Sequence, residues 1–271
     1  MAHRIPSLTG VRALAAAAVC LTHAAFWTGN YTDDYVGRLF SRFEVGVAIF
    51  FVLSGFLLFS EWIRPLQKGS APPSTRRYFW HRARRILPAY WITVIAVYLV
   101  YGWYSPGGEA AVTGVGWSGF WRNMTLTQVY GIGHLHAGLT QMWSLAAEVV
   151  FYLLLPVIAW LLIVVVCRRR WRPDLLIGGL LVIGLVSPVW SVLVDGNPDA
   201  DPTARLWAPA FLGWFVAGMI LAVCAPLVAK WNTWFWLAAA GVAFLVSGLP
   251  LAGEPTITPS TASATIVKHL L

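Results

Sequence analysis

Residues 142–166 read MWSLAAEVVFYLLLPVIAWLLIVVV and run directly into Cys167 and three arginines, Arg168 to Arg170. A helix needs about 20 largely apolar residues to cross a hydrocarbon core about 30 Å thick. This run exceeds that length and holds one ionisable residue, Glu148. It is too long for a strand. Arginines concentrate on the cytoplasmic flank of membrane helices, so the stretch reads as a span that enters from outside near Met142 and leaves inside at Arg168. That reading decides the fold class.

Working outward, six more segments have the same character, at about 11–27, 43–63, 88–104, 174–194, 206–224 and 233–251. The expectation is an all-α, polytopic transmembrane helix bundle of about seven spans, a single integral-membrane domain over residues 1–271. Composition agrees. Hydrophobic residues make up 58% of the 271 and charged residues 11%, against about 25% charged in soluble domains. A soluble globular fold and a disordered chain are both excluded. The first span is not a signal peptide, because His23 and Trp27 stand where small cleavage-site residues belong. Cys20, Cys167 and Cys224 lack metal or redox spacing and read as small buried apolar residues.

Charge then sets orientation. With a cytoplasmic N-terminus, segments 1–10, 64–87, 167–173 and 225–232 carry 13 of the 19 basic residues. Asp33, Asp34, Glu109, Asp195, Asp199, Asp201 and Glu254 fall on the outer segments. The net charge of +8 is therefore topology rather than a nucleic-acid footprint, and no nucleic-acid partner is expected. The first partner is the lipid bilayer.

Ionisable residues inside spans are costly and mark function by default. Arg12 and His23 are eleven residues apart, which returns them to within about 20° of one helix face, roughly 16 Å apart along the axis. Glu148 lies about 9 Å in from the outer end of its span and His23 about 6 Å in from the end of its own. Similar depth allows a carboxylate to orient an imidazole for general-base work if the two helices are neighbours. A structural pair, or a His satisfied by a backbone carbonyl, explains the same residues. On the cytoplasmic side, Arg82 and Arg85 at i, i+3 share a face if the helix extends that far, with Pro88 in its first turn. Two guanidiniums on one face clamp phosphates or merely anchor topology. Ser54 and Gly55 suit close helix packing or approach by a ligand. His134 and His136 lack a third ligand, so no metal site is expected.

Four motifs in order resemble acyltransferase family 3, the multi-span membrane acyltransferases of bacterial surface sugars. Leu8-Thr9-Gly10-Val11-Arg12 through His23 resembles the family's Arg, ten residues, His signature. Phe50-Phe51-Val52-Leu53-Ser54-Gly55-Phe56-Leu57 resembles its second-span motif. Arg82 through Trp91 resembles its basic RxxR segment followed by Pro-x-Tyr. Met142-Trp143-Ser144 with Glu148, Phe151 and Tyr152 resembles its Trp-Ser-Leu motif.

The resemblance implies O-acyl transfer from a cytoplasmic acyl-CoA, acetyl-CoA or similar, used as co-substrate with no bound cofactor. The acceptor it implies is a hydroxyl of an extracytoplasmic glycan or glycolipid, and the location a bacterial plasma membrane. It implies His23 as base with Glu148 and Arg12 as partners, Arg82 and Arg85 on the CoA phosphates, and Ser54, Tyr90, Trp143 and Ser144 lining the channel. The family core has ten spans, so a chain of about seven is expected to lack C-terminal helices. A proton-coupled transporter or flippase using the same buried charges is the alternative, and a non-enzymatic scaffold leaves those charges unexplained.

Overall fold

The computed structural model describes residues 6–104, 114–197, 199–228 and 232–250, and within them every regular element is helical. The elements are α1 (Pro6–Trp27), α2 (Tyr35–Arg42), α3 (Val45–Lys68), α4 (Thr75–Trp103), α5 (Gly116–Met124), α6 (Trp143–Trp160), α7 (Pro173–Gly184), α8 (Val186–Asp195), α9 (Ala208–Val228) and α10 (Thr233–Ser247). Short 3-10 turns cover Ala137–Met142 and Pro202–Leu206, and a π turn, Leu161–Val166, prolongs α6. Six helical stretches are long and apolar enough to cross a membrane, and α10 is an apolar helix of 15 residues. At 1.5 Å per residue α10 is about 22 Å long, short of a full hydrocarbon core.

The bundle is organised around α3 and α9, which touch backbone to backbone. A Cβ placed on Gly55 would lie 2.0 Å from the Phe215 carbonyl oxygen, and one on Gly218 2.0 Å from that of Val52. Helices in lipid gain little from apolar burial against one another, so close approach through small residues supplies the packing energy. Phe215 stacks between Phe51 at 4.4 Å and Phe151 at 4.0 Å between ring centroids, which ties α6 into the same core. α1 crosses α3 at Gly46, whose absent Cβ makes room for the Ala15 carbonyl and the Val19 side chain. α2 closes the end of α10. Tyr35 Oη donates to the Leu245 carbonyl at 3.0 Å, Arg38 Nε to Gly248 at 2.9 Å and Arg42 Nε to Ser247 at 3.0 Å. Cations on the last carbonyls of a helix satisfy groups that have no partner within it.

Several boundaries differ from the sequence reading. The third span begins at Thr75, not near Pro88, capped by Ser74, whose hydroxyl accepts from the Arg77 N–H at 3.5 Å. Pro88 sits well inside α4 and not in its first turn. It leaves only the Arg84 carbonyl without a helical donor, and Arg84 is exposed at the basic end. The fifth span is two helices that break at Leu185. Cys20 is exposed on the outside of the bundle rather than buried, whereas Cys167 is buried. The last residue of the expected seventh span, 251, and everything after it lie outside the described residues, as do Glu109 and Lys230.

Candidate active site

The site is assembled on α3, α4 and α6. Glu148 lies on α6 and its Oε1 accepts two hydroxyl donors, Ser54 Oγ of α3 at 2.5 Å and Tyr152 Oη at 2.5 Å. Tyr152 stands four residues on from Glu148, the spacing at which side chains on one helix meet. Two O–H donors converging on one oxygen suit an ionised carboxylate, which has only acceptors. Oε2 carries no hydrogen bond among the described residues, so one edge of the carboxylate stays available.

Tyr152 connects this centre to the basic end of the bundle. Its backbone carbonyl accepts from Tyr78 Oη of α4 at 3.2 Å. The Arg82 guanidinium lies 5.9 Å from the Tyr78 ring centroid, and its Nη2 is 3.7 Å from Glu61 Oε1. Arg85 is one turn further along α4 and exposed. The two arginines thus share a helix but not an environment, since Arg82 turns inward to Tyr78 and Glu61 while Arg85 faces out.

His23 is not joined to Glu148. Its Nδ1 is 2.8 Å from the Val19 carbonyl one turn back. A carbonyl only accepts, so Nδ1 is the donor in this contact, and Nε2 is the nitrogen left to act as a base when the ring is neutral. The pairing of α1 with α3 explains the separation. Thr22 Oγ1 donates to the Ser41 carbonyl at 3.4 Å, and Gly46 faces Ala15 and Val19. α1 therefore runs antiparallel to α3 and extends beyond its outer end. By the helical rise, His23 lies on the order of 20 Å outward of Ser54, whereas Arg12 is within about 5 Å of Ser54's level. The expected similar depth of His23 and Glu148 fails for this reason: depth counted from the end of each helix ignores how far each end projects. Arg12, Ala15, Val19 and His23 nonetheless form one stripe along α1, and the Ala15 and Val19 contacts show that this stripe faces α3. Arg12 is half-buried and forms no ion pair among the described residues.

The other channel candidates sit elsewhere. Tyr90 is buried and its hydroxyl donates to the Asn123 carbonyl, tying α4 to α5. Trp143 packs on Phe211 at 4.8 Å between centroids, in the core above Glu148. Ser144 shares the Glu148 face one turn outward, but its hydroxyl returns to the Gln141 carbonyl at 3.2 Å. His136 is buried, capping the turn at Ala137–Met142: its Nδ1 accepts from the Gly138 N–H at 3.1 Å, and Tyr98 and Tyr101 pack on its ring. Among the described residues no three His, Cys, Asp or Glu side chains converge as a metal cluster. Sequence reasoning did not assign Tyr78, Tyr152 or Glu61 to the site. The i+4 spacing from Glu148 was a usable signal for Tyr152. Tyr78 and Glu61 have none, because their contacts cross between helices.

The profile of the acyltransferase domain matches residues 5–266. The chain belongs to this acyltransferase family. Peptidoglycan O-acetyltransferase OatA of Listeria monocytogenes is 30% identical over 213 residues, which cover 73% of this chain and 30% of that protein. Acyltransferase MdmB of Streptomyces mycarofaciens is 28% identical over 235 residues, 81% of this chain and 57% of that protein. The chain thus spans about a third and a little over half of the lengths of these two relatives. No solved structure matches it.

Proposed function

We propose that this membrane acyltransferase moves an acyl group, acetyl in the first instance, from a cytoplasmic acyl-CoA to a hydroxyl of an extracytoplasmic glycan or glycolipid at a bacterial plasma membrane. The observation that carries the reading is the Glu148 centre: an ionisable group inside the bundle, held by Ser54 and Tyr152 and connected through Tyr78 to Arg82. Its names of action come from the relatives, one an O-acetyltransferase of peptidoglycan.

In this reading Arg82 and Arg85 hold the donor's phosphates at the basic end. A pantetheine arm extends about 15 Å at ordinary bond lengths and brings the thioester to the level of Ser54 and Glu148. His23 Nε2 takes the proton from the acceptor hydroxyl, because a sugar hydroxyl is a poor nucleophile until a positioned base removes its proton. The hydroxyl oxygen then bonds to the acyl carbon as the C–S bond breaks, and the departing CoA thiolate takes up the proton. Arg12 supplies positive charge at the depth of Glu148 and of the thioester oxygen, where negative charge builds during transfer. Transfer in this reading requires His23 and the thioester to meet across the rise of roughly 20 Å that separates His23 from Ser54, and the main contacts of α1 are with α2 and α3 alone.

Acyl transfer from labelled acetyl-CoA in reconstituted membranes tests the reading, with His23→Ala and Glu148→Gln beside the wild type. Loss of a general base costs about 100-fold or more. Full transfer by both folded variants refutes the site. Transport of an intact glycan precursor without acyl transfer refutes the reaction.

A further inference from the structure

Near the basic end of the bundle, two buried N–H donors have no acceptor: Trp62 Nε1 and Arg82 Nε. They come from different helices, α3 and α4, and lie against one ring. The Trp62 indole meets the Tyr78 ring edge-on with centroids 6.0 Å apart, and the Arg82 guanidinium is 5.9 Å from the same centroid. Trp62 is 7% exposed and the Arg82 side chain 19%. Glu61 engages Nη2 of Arg82 and leaves Nε unserved.

Buried N–H groups in native proteins nearly always find an acceptor, because an unmet donor has lost its water and gained nothing. Two unmet donors around one ring mark the place of an acceptor that arrives with a ligand. The chemistry of that ligand follows from its surroundings. Arg64, Lys68, Arg76, Arg77, Arg84 and Arg85 are all exposed at this end of α3 and α4, so the field there draws anions. Trp62 is eight residues beyond Ser54 on α3, about 12 Å toward the cytoplasm. An oxygen bound here is one short arm's length from Glu148.

We propose that Trp62 and Arg82 form a binding subsite for the acyl donor, in which the indole N–H and the guanidinium Nε–H both donate to an oxygen of its phosphate tail or of the adjoining amide arm. The subsite rests on the acyl-CoA reading above and adds to it a residue, Trp62, that binds rather than packs. Tyr78, against whose ring both side chains pack, leads through Tyr152 to Glu148.

Trp62→Phe keeps the ring against Tyr78 and removes only the N–H. Arg82→Lys keeps a cation and removes Nε. Each raises KM for acetyl-CoA about three- to tenfold, the worth of one hydrogen bond, with a smaller change in kcat and no change in KM for the acceptor. The double variant falls short of the product of the two, since both donors serve one oxygen. Binding of CoA itself to the full-length protein in neutral-lipid nanodiscs, read by calorimetry, follows the same order and needs no turnover. A wild type that neither binds CoA nor transfers acetyl from it refutes the functional reading. A wild type that does both, beside a Trp62→Phe variant with unchanged KM and CoA affinity, overturns the subsite alone. Repeating the kinetics with S-acetyl-pantetheine assigns the acceptor: an effect that persists places it on the amide arm, and one that vanishes places it on the phosphates. An effect seen only with anionic lipid assigns the donors to a headgroup and overturns the proposal.

Discussion

Replacing Gly55 with alanine tests how the α3–α9 contact supports the site. The added Cβ would lie 2.0 Å from the Phe215 carbonyl oxygen and 2.9 Å from its carbon. Carbon approaches a carbonyl oxygen to about 3.3 Å at closest, so the two helices must separate by roughly 1.3 Å at this level. The obstructing atoms are backbone and cannot rotate away. Overpacking costs about 1–3 kcal/mol, and this site belongs at the upper end. The Phe51–Phe215 stack loosens with it, and dispersion falls steeply with such a gap. Ser54 is the neighbouring residue, and a shift near 1 Å lengthens its 2.5 Å bond to Glu148 to about the limit of a hydrogen bond. Gly55→Ala is therefore expected to lower both thermal stability in detergent and acyl transfer. Gly218→Ala strains the same contact from α9, where a Cβ would lie 2.0 Å from the Val52 oxygen. The double variant should cost less than the sum, because helices already parted accept the second methyl more easily. Gly241→Ala, with nothing within 4 Å of its Cβ position, is the control. Gly55→Ala within about 0.5 kcal/mol of wild type, the usual range for a harmless surface change, would refute the reasoning.

Tyr152→Phe and Ser54→Ala each remove one of the two donors on Glu148 Oε1. Hydrogen bonds to a charged group are worth about 1.5–3 kcal/mol, so each variant should lose roughly ten- to a hundredfold in kcat with the fold intact. Transfer rates within twofold of wild type for both would show that the orientation of Glu148 is immaterial. At the outer face, burial pushes the His136 imidazole below its ordinary value of 6.5. The folded chain then binds fewer protons than the unfolded one once pH falls below about 6.5, so stability declines from there until the folded value is passed. His136→Asn should flatten that decline in melting temperature between pH 7.5 and 5; an unchanged slope would dissociate His136 from it.

Much of this was legible from residues 142–166 alone. The apolar run announced a span, its closing arginines gave that span an expected direction, and the solitary Glu148 stood out as a candidate site residue. Ser54 was marked out by its motif and is indeed bonded to Glu148. The start of α4 was not legible. Hydropathy registers only the part of a helix that lies in lipid, whereas α4 continues through the polar stretch 75–87 on backbone hydrogen bonds and the Ser74 cap. Pro88 misled for a related reason: the bond it removes belongs to Arg84, at the exposed end where water serves the carbonyl. The break at Leu185 lies within an unbroken apolar pattern that reads equally well as one helix or two.

What the sequence determined by itself is the class of the molecule, together with an expected orientation and a short roster of candidate side chains. Those properties are sums of local transfer free energies, and each residue contributes to them independently of distant neighbours. Which of those side chains work together was decided only in the tertiary structure. Glu148 meets Ser54 and Tyr152 rather than His23, and Arg82 meets Tyr78 and Glu61 rather than Arg85. Such pairings depend on how far one helix slides past the next. That register is set by the small-residue contacts at Gly46, Gly55 and Gly218, and the periodicity within a single helix carries no record of it.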